Sequence, residues 1–248
     1  MADPVYPIPT FRPVPYVLPI PAYTQMILDD IPIGYWRLGE ALITDPAVDE
    51  MDTYTGTYWT NDQAHDFSQA GINNNGSNTA VKFNTGSGMY LPGSSWAVGA
   101  EASYEAWIKT SDTGNDERRA ISIQKGGEGN YIFMGILTGL LVYGDSGWGI
   151  STAGEATLYD NAWHHIVITK KDTGRIYFYV DGGSVGDFSL TTGCGSVNEA
   201  PWIGRLSLSG EIAYSVVEPL RGTIDEVAIY DYVLTPTQVA DHYNEGKY

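Results

Sequence analysis

A carboxylate lies inside one of the most apolar strands that the sequence predicts. Asp225 belongs to the segment GTIDEVAIYD, residues 222–231, which otherwise has the composition of a buried strand. Successive side chains of a strand point to opposite faces, so a regular strand places Asp225 on the face of Val227 and Ile229. A buried carboxylate without a partner is costly. We therefore expect Asp225 to bind an ion, or to accept hydrogen bonds from backbone groups or from Arg221.

A second set of candidate residues consists of aromatic rings in segments that the pattern predicts as loops. Exposed rings beside Asn, Asp and Gln side chains suit stacking on sugar rings. The predicted ligand-binding residues are Tyr58, Trp59, Trp96, Trp148 and Tyr159. By contrast, Trp107, Trp163 and Trp202 lie in or beside predicted strands, and we expect them in the core.

No group of residues forms a recognisable catalytic or chelating motif. His164 and His165 are neighbours on a predicted strand and face opposite ways, so they cannot chelate a metal as a pair. Cleavage of a glycosidic bond needs two carboxylates roughly 5 to 9 Å apart, whereas Glu101 and Glu105 would stand about 13 Å apart on a strand. No phosphate loop, zinc spacing or nucleophile elbow occurs. We predict that the chain is not an enzyme.

The composition predicts a mostly β framework around these residues. The chain has 248 residues, of which 43% are hydrophobic, enough for a packed core. Its 18 Tyr, seven Trp and 29 Gly favour short strands separated by glycine turns. The single cysteine, Cys194, rules out an intrachain disulfide. No apolar run approaches the roughly 20 residues of a membrane span.

The charge balance limits the partners that the chain can bind. A formal net charge of −17 argues against nucleic acid, because that affinity depends on clusters of Lys and Arg. An acidic surface is compatible with divalent cations, neutral glycans or a basic protein surface.

The spacing of the apolar segments predicts an antiparallel sandwich of two sheets. Turn signals recur about every 8 to 12 residues, with no long helix between them. Residues 81–83 and 89–91 are joined by a glycine-bearing loop and are predicted to pair as a hairpin. A short helix closes the chain, with Thr235 as its N-cap, Pro236 in its first turn and Gln238 three residues after the cap.

The N-terminal segment differs from the rest in composition. Residues 1–21 contain seven of the 13 prolines and predict a polyproline II arm of up to roughly 65 Å. The arm is expected to dock on a partner through Tyr6, Phe11, Tyr16 and Leu18, although a strap over its own domain and a loose tail are alternatives. We divide the chain into this arm, a short helix and linker at 22–34, and one β domain at 35–248.

Four segments together resemble a known family. They are YWRLGE (35–40), YEAWIKT (104–110), WHHIVIT with IYFYVDG (163–169 and 176–182), and GTIDEVAIYDYVLTPTQV (222–239). In this order they are similar to the laminin G-like, concanavalin A-like jelly-roll family, over about residues 40–245. The resemblance implies a two-sheet jelly roll that often binds glycans or proteins and often holds calcium at the sheet rim. The lead-in DDIPIGYWRLGE also resembles the start of such modules in bacteriophage tail and other virion proteins.

The resemblance implies a metal site at Asp225. This strand position commonly contributes to calcium binding in the family, and carboxylate oxygens are the ligands that calcium prefers. Asp49 and Asp52 are the expected partners, with Glu50 between them. The family's usual glycine-rich spacing is replaced here by MDTYTG (51–56).

Together these observations predict a virion protein of a tailed bacteriophage, of a minor tail or tail-tip type. The arm would anchor it to other virion proteins, and the jelly roll would bind a host-surface glycan or protein without catalysis. The N-terminus lacks the basic start and apolar core of a secretory signal, so we expect a virion location. The alternatives are a capsid decoration protein with a structural role, a bacterial surface carbohydrate-binding module, and a glycoside-cleaving enzyme.

Overall fold

The computed structural model describes residues 20–60, 65–72, 78–92, 100–114, 118–124, 131–145, 149–153, 157–190, 201–205 and 219–247. Two helices, α1 (Ala22–Asp29) and α2 (Pro236–Gly246), flank the strands in the chain. The strands are β1 (Gly34–Trp36), β2 (Thr57–Thr60), β3 (Asp66–Ala70), β4 (Thr79–Phe83), β5 (Ser87–Tyr90), β6 (Ala102–Lys109), β7 (Arg118–Gln124), β8 (Tyr131–Leu137), β9 (Leu140–Asp145), β10 (Gly149–Ala153), β11 (His164–Lys170), β12 (Arg175–Val180), β13 (Gly183–Ser189), β14 (Pro201–Ile203) and β15 (Gly222–Tyr230).

The strands form two antiparallel sheets. The eight-stranded sheet has the order β13-β12-β11-β6-β15-β4-β3, and β1 also pairs with β15. The seven-stranded sheet has the order β10-β9-β8-β7-β14-β5-β2. Consecutive strands pair at one end of each sheet (β11 to β13 and β7 to β10), whereas β6, β15 and β4, and β7, β14 and β5, come together from distant parts of the chain, as expected for a jelly roll. The predicted all-β, two-sheet jelly-roll sandwich is confirmed.

The loop after β4 crosses between the sheets. β4 pairs with β15 and β3, whereas β5 pairs with β14 and β2. The predicted hairpin of residues 81–83 with 89–91 is therefore wrong. Phe83 of β4 and Met89 of β5 both point into the core between the sheets. The apolar faces of the two strands are therefore buried although the strands do not pair with each other.

Both helices pack on the outer face of the eight-stranded sheet. There a second apolar cluster contains Tyr23 and Ile27 of α1, Val239 of α2, and Trp107 and Val167 of the sheet. The capping box predicted for α2 is confirmed, since Thr235 and Gln238 bond reciprocally. Helix α1 begins after Pro21, with Thr24 buried inside it. Neither helix of the described ranges has the length and apolar character needed to cross a membrane.

Candidate functional site

Asp225 is buried, as predicted, but on the opposite face from the one expected. A bulge interrupts the pairing of β15 with β6 between Asp225 and Ala228. The bulge places Asp225 opposite Trp107 and Ala228 opposite Glu105, on the outer face, whereas Val227 and Ile229 join the core between the sheets. The prediction that Asp225 shares a face with Val227 and Ile229 is wrong because an extra residue resets the alternation.

The carboxylate of Asp225 is held by donors from the neighbouring strand region. Its Oδ2 accepts a hydrogen bond from the backbone N–H of Ile72 at 2.8 Å and another from Asn78 Nδ2 at 2.8 Å. Its Oδ1 is buried without a hydrogen-bond partner. Arg221, the alternative donor, pairs instead with Asp112 at 3.5 Å. The expectation of backbone donors is confirmed, and the expectation of Arg221 is wrong.

Glu226 is the extra residue of the bulge, and it is buried beside Asp225. Its φ of +52° lies in the left-handed region, which non-glycine residues rarely adopt. It accepts hydrogen bonds from the Tyr35 hydroxyl and from Arg37 Nε, the latter at 3.3 Å. Burial raises the pKa of Glu226 to about 7. Burial and the neighbouring charge of Glu226 raise the pKa of Asp225 well above its usual range.

The other two predicted metal ligands lie in the segment after β1. Asp49 is buried, and its two oxygens accept four backbone N–H bonds at 2.9, 3.0, 3.1 and 2.7 Å. Asp52 is exposed in the following turn, with a φ of +56°. A calcium ion needs six to eight oxygens, and no group of three or more His, Cys, Asp or Glu side chains in the described ranges could hold a metal. Calcium binding stays a prediction. Oδ1 of Asp225, which has no hydrogen-bond partner, is the oxygen of Asp225 that would bind the ion.

A further buried carboxylate, that of Glu105, lies at the centre of the outer face of the eight-stranded sheet. The sequence did not predict a structural role for it. Glu105 of β6 is fully buried and accepts hydrogen bonds from Tyr23 of α1 at 3.2 Å and from Tyr230 of β15 at 3.0 Å. His165 Nε2 lies 2.7 Å and His242 Nδ1 3.1 Å from its oxygens. Glu105 thus joins both helices to two strands, and no substrate can reach it. The signal available in the sequence was a charged residue inside the apolar segment YEAWIKT.

The ring of His242 lies between two carboxylates. Its Nδ1 faces Glu105, and its Nε2 lies 2.9 Å from Asp30 Oδ2. Both ring nitrogens must donate, so His242 is an imidazolium. Burial alone would lower its pKa, but the charge of Glu105 and the hydrogen bonds to Glu105 and Asp30 raise the pKa to about 9. Burial would likewise raise the pKa of Glu105, and the two histidines instead hold it below its ordinary value.

The three predicted sugar-stacking residues that the structure describes do not form one group. Tyr58 lies on β2 with 5% of its surface exposed, and its hydroxyl donates to Glu40 at 2.6 Å. Tyr159 packs against the core, and its hydroxyl lies 3.5 Å from the Gly114 carbonyl. Trp96 and Trp148 lie outside the described residues, as do Tyr6, Phe11, Tyr16 and Leu18 of the arm. The loop position predicted for Tyr58 and Trp59 is wrong, because both belong to a strand whose alternation buries Tyr58 and turns Trp59 outward.

Trp59 contributes instead to a patch on the outer face of the seven-stranded sheet. We define the aromatic patch as Trp59 of β2, Tyr90 of β5, Trp202 of β14 and Arg205. The rings of Trp59 and Trp202 meet edge to face at 6.2 Å, and Tyr90 lies 5.5 Å from Trp202. Tyr90 is 38% exposed. Trp202 had been expected in the core, but its neighbours Pro201 and Ile203 are the buried residues of β14.

A buried cation lies among these rings. The Arg205 guanidinium lies 4.4 Å from the Trp59 ring centre and 4.8 Å from that of Trp202. Burial lowers the pKa of Arg205 to about 10, which leaves it charged at neutral pH. A Cβ at Gly88 would stand 2.3 Å from Arg205 Cδ, so the glycine allows the arginine to lie along β5. The guanidinium thus holds the two indole rings through cation–π contacts, and Tyr90 is the exposed ring of the patch.

These features define a two-sheet jelly-roll protein with an aromatic patch on the outer face of one sheet. A family model for the concanavalin A-like lectin/glucanases superfamily matches residues 83–240. The chain belongs to this superfamily.

Similar proteins agree with this assignment. A rat protein, "Sushi, von Willebrand factor type A, EGF and pentraxin domain-containing protein 1", is 29% identical over 139 residues, which are 54% of this chain and 4% of that protein. The structure of domain 4 of AbnA, a GH43 extracellular arabinanase of Geobacillus stearothermophilus, solved with arabinotriose, superposes with a TM-score of 0.64 at 17% identity and covers 85% of this chain and 97% of its own. The binding domain of Paraclostridial Mosquitocidal Protein 1 has a TM-score of 0.59 at 15% identity and covers 84% and 51%. At these identities the two structures support the fold.

Asp225→Asn tests the buried carboxyl pair. The amide keeps an acceptor for the Ile72 N–H and removes an ionisable group whose raised pKa costs stability as pH rises above its unfolded value. We expect the variant to gain about 1 to 2 kcal/mol over the wild type at pH 8, and the gain to vanish near pH 4, measured by urea unfolding. Asp49→Asn, which sets an amide donor against two of the four N–H groups that Asp49 accepts, should destabilise at both pH values. Calcium bound by Asp225 would reverse the result: the wild type would melt higher in millimolar calcium than in chelator, and the variant would not.

The pH dependence of stability tests the His242 cluster. A raised histidine pKa contributes stability that is complete below its unfolded pKa of about 6.5 and is lost as pH rises through about 9. We expect the melting temperature to fall between pH 7.5 and 9.5, and an NMR titration to place the His242 transition near the upper end. Asp30→Asn should move that transition to lower pH. A melting temperature that stays level across this range would contradict the assignment of an imidazolium.

Proposed function

We propose that the chain is a saccharide-binding module without catalytic activity and that the aromatic patch is its binding surface. The observation that carries the proposal is the grouping of Trp59, Tyr90 and Trp202 around the Arg205 guanidinium on an outer sheet face. Aromatic faces bind the apolar C–H faces of sugar rings, and the buried guanidinium holds the two indole rings in place through cation–π contacts. The patch has no carboxylate among its defining residues, and its neutral sugar ligand would avoid the repulsion of a chain with net charge −17.

The burial of three carboxylates on the eight-stranded sheet, Glu105, Asp225 and Glu226, supports a role without catalysis at these positions. Glycosidases use two carboxylates that reach the scissile bond from the solvent side. Glu105 is enclosed by Tyr23, His165, Tyr230 and His242. Asp225 and Glu226 are adjacent and buried, Asp225 against Ile72 and Asn78 and Glu226 against Tyr35 and Arg37. The AbnA domain solved with arabinotriose shows the same fold beside an oligosaccharide, which supports a binding role.

Substitution of the exposed ring tests the patch. Tyr90→Ala should weaken the binding of its oligosaccharide at least tenfold, because stacking area is lost while the melting temperature changes little for a 38% exposed side chain. Phe188→Ala is the matched control, since Phe188 is 42% exposed on β13 of the other sheet. A neutral-glycan array identifies the ligand, and calorimetry measures the affinities. An array without hits, or equal losses in both variants, would favour a purely structural role such as capsid decoration.

We further propose that this module belongs to the virion of a tailed bacteriophage, as a minor tail or tail-tip component that attaches to a host-surface glycan. The composition of residues 1–21 supports this proposal, since a proline-rich arm with large apolar side chains suits docking on another virion protein. Calcium at Asp225 is part of the same proposal. A bacterial surface protein carrying the same module is the alternative.

Deletion of residues 2–19 tests the anchoring role of the arm. The deletion keeps Pro21, whose carbonyl accepts the first hydrogen bond of α1 from Gln25 at 2.9 Å. We expect an unchanged melting temperature and an unchanged affinity for the oligosaccharide, together with loss of the chain from purified particles in a complementation experiment, measured by mass spectrometry. Incorporation at the wild-type level would contradict an anchor, and a lowered melting temperature would indicate a strap on its own domain.

A further inference from the structure

The outer face of the eight-stranded sheet carries a groove far from the aromatic patch in the fold. Two hollows, of about 270 Å³ and about 370 Å³, share Ala70 and Lys109 in their walls. We call them together the cationic groove. Its basic side chains are Lys82, Lys109, Arg221 and Lys247. The volumes fall within the range of roughly 300 to 1,000 Å³ of small-ligand sites when the hollows are taken as one.

The concentration of basic residues in this groove is unusual for such an acidic chain. The whole sequence has 13 Lys and Arg against 30 Asp and Glu. Two of the four basic side chains are neutralised locally, since Lys82 lies 3.2 Å from Asp66 and Arg221 lies 3.5 Å from Asp112. Lys247 donates to Asn244 at 2.8 Å. Lys109 therefore supplies the positive charge that a ligand in this groove would meet.

Lys109 holds the central position in this distribution. It ends β6 and lines both hollows, so its ammonium group is available to a ligand in either one. Among the described residues it makes no ion pair and no side-chain hydrogen bond. The side chain is half-buried, which shields an ion pair formed there from the full screening of bulk water.

One end of the groove has aromatic walls, and the other end has polar ones. Trp163 and Tyr243 line the smaller hollow with Trp107, whose ring stacks on Tyr243 at 5.8 Å and 21°. Gln69, Ser111 and Asn161 line the larger hollow with Lys109. An aromatic wall next to a cation and a row of amide and hydroxyl groups matches a sugar ring that carries an anionic substituent.

We propose that the cationic groove is a second saccharide site, specific for an acidic oligosaccharide. The carboxylate or sulfate group of one sugar ring binds Lys109, and a neighbouring ring lies against Trp163 and Tyr243. The site is independent of the aromatic patch, which belongs to the other sheet. The two sites would let one module recognise a neutral and an acidic portion of a cell-surface polysaccharide, and the overall negative charge would exclude anions that do not fit the groove.

A galacturonic acid hexamer and its fully methyl-esterified form are the probes, because they differ in charge and not in ring structure. We expect the full chain to bind the acid hexamer at low ionic strength at least tenfold more tightly than the ester, with affinity falling as salt is added. Lys109→Gln and Trp163→Ala should each lose at least tenfold in affinity for the acid. Lys171→Gln is the matched control, since Lys171 is also half-buried and lies 5.2 Å from the centre of the Tyr177 ring outside the groove.

Further binding measurements distinguish a sulfate ligand from a carboxylate ligand, and the cationic groove from the aromatic patch. A sulfated oligosaccharide that binds in place of the acid hexamer, and is lost on Lys109→Gln, would support the site and assign it to sulfated glycans. Equal binding of the methyl ester, or inorganic sulfate competing with an affinity equal to that of the hexamer, would overturn it. Tyr90→Ala should leave the acid hexamer's affinity unchanged, so the failure of either saccharide site can be told from the failure of the other.

Discussion

The buried carboxylate of Glu105 organises one whole side of this molecule. Isolated in an apolar layer it would be destabilising, because transfer of an unpaired charge from water is costly. Tyr23, His165, Tyr230 and His242 surround it. Since these donors come from both helices and two strands, the carboxylate sets where α1 and α2 lie on the eight-stranded sheet. Removal of one partner would leave the others with an uncompensated charge.

The position of α2 in turn shapes the surface around it. Tyr243, Gly246 and Lys247, at the end of this helix, form part of the cationic groove. A Cβ at Gly246 would stand 2.5 Å from the Trp107 ring and 2.9 Å from that of Tyr23, so glycine allows the last turn to close on the aromatic layer. The shape of the groove thus depends on the buried hydrogen bonds around Glu105, because they fix the position of α2. The same hydrogen bonds stabilise the fold and shape a surface site.

The outer faces of the two sheets carry different kinds of residue arrangement. The eight-stranded sheet buries its outer face under helices and holds ionisable groups there, whereas the seven-stranded sheet carries Trp59, Tyr90 and Trp202 outward around Arg205. The bulge at Glu226 adds a third polar region, where Asp225 and Glu226 face Asn78 and Arg37. These three polar regions lie outside the apolar cluster between the two sheets.

Much of this could be predicted from the sequence. Alternation, turn residues and the capping box at Thr235 are local properties, so the sequence by itself determined the antiparallel sandwich, most strands and helix α2, and the resemblance of four segments to a known family implied the jelly roll. The burial of Asp225 also followed from its neighbours. The sequence could not show that the chain changes sheet after Phe83, that Glu226 forms a bulge which turns Asp225 to the outer face, or that Trp202 and Arg205 meet Trp59. Those features depend on which distant strands become neighbours, and only the tertiary structure decided them. The physical reason is that the pairing of distant strands within each sheet is set by the packing of the whole core rather than by local preference.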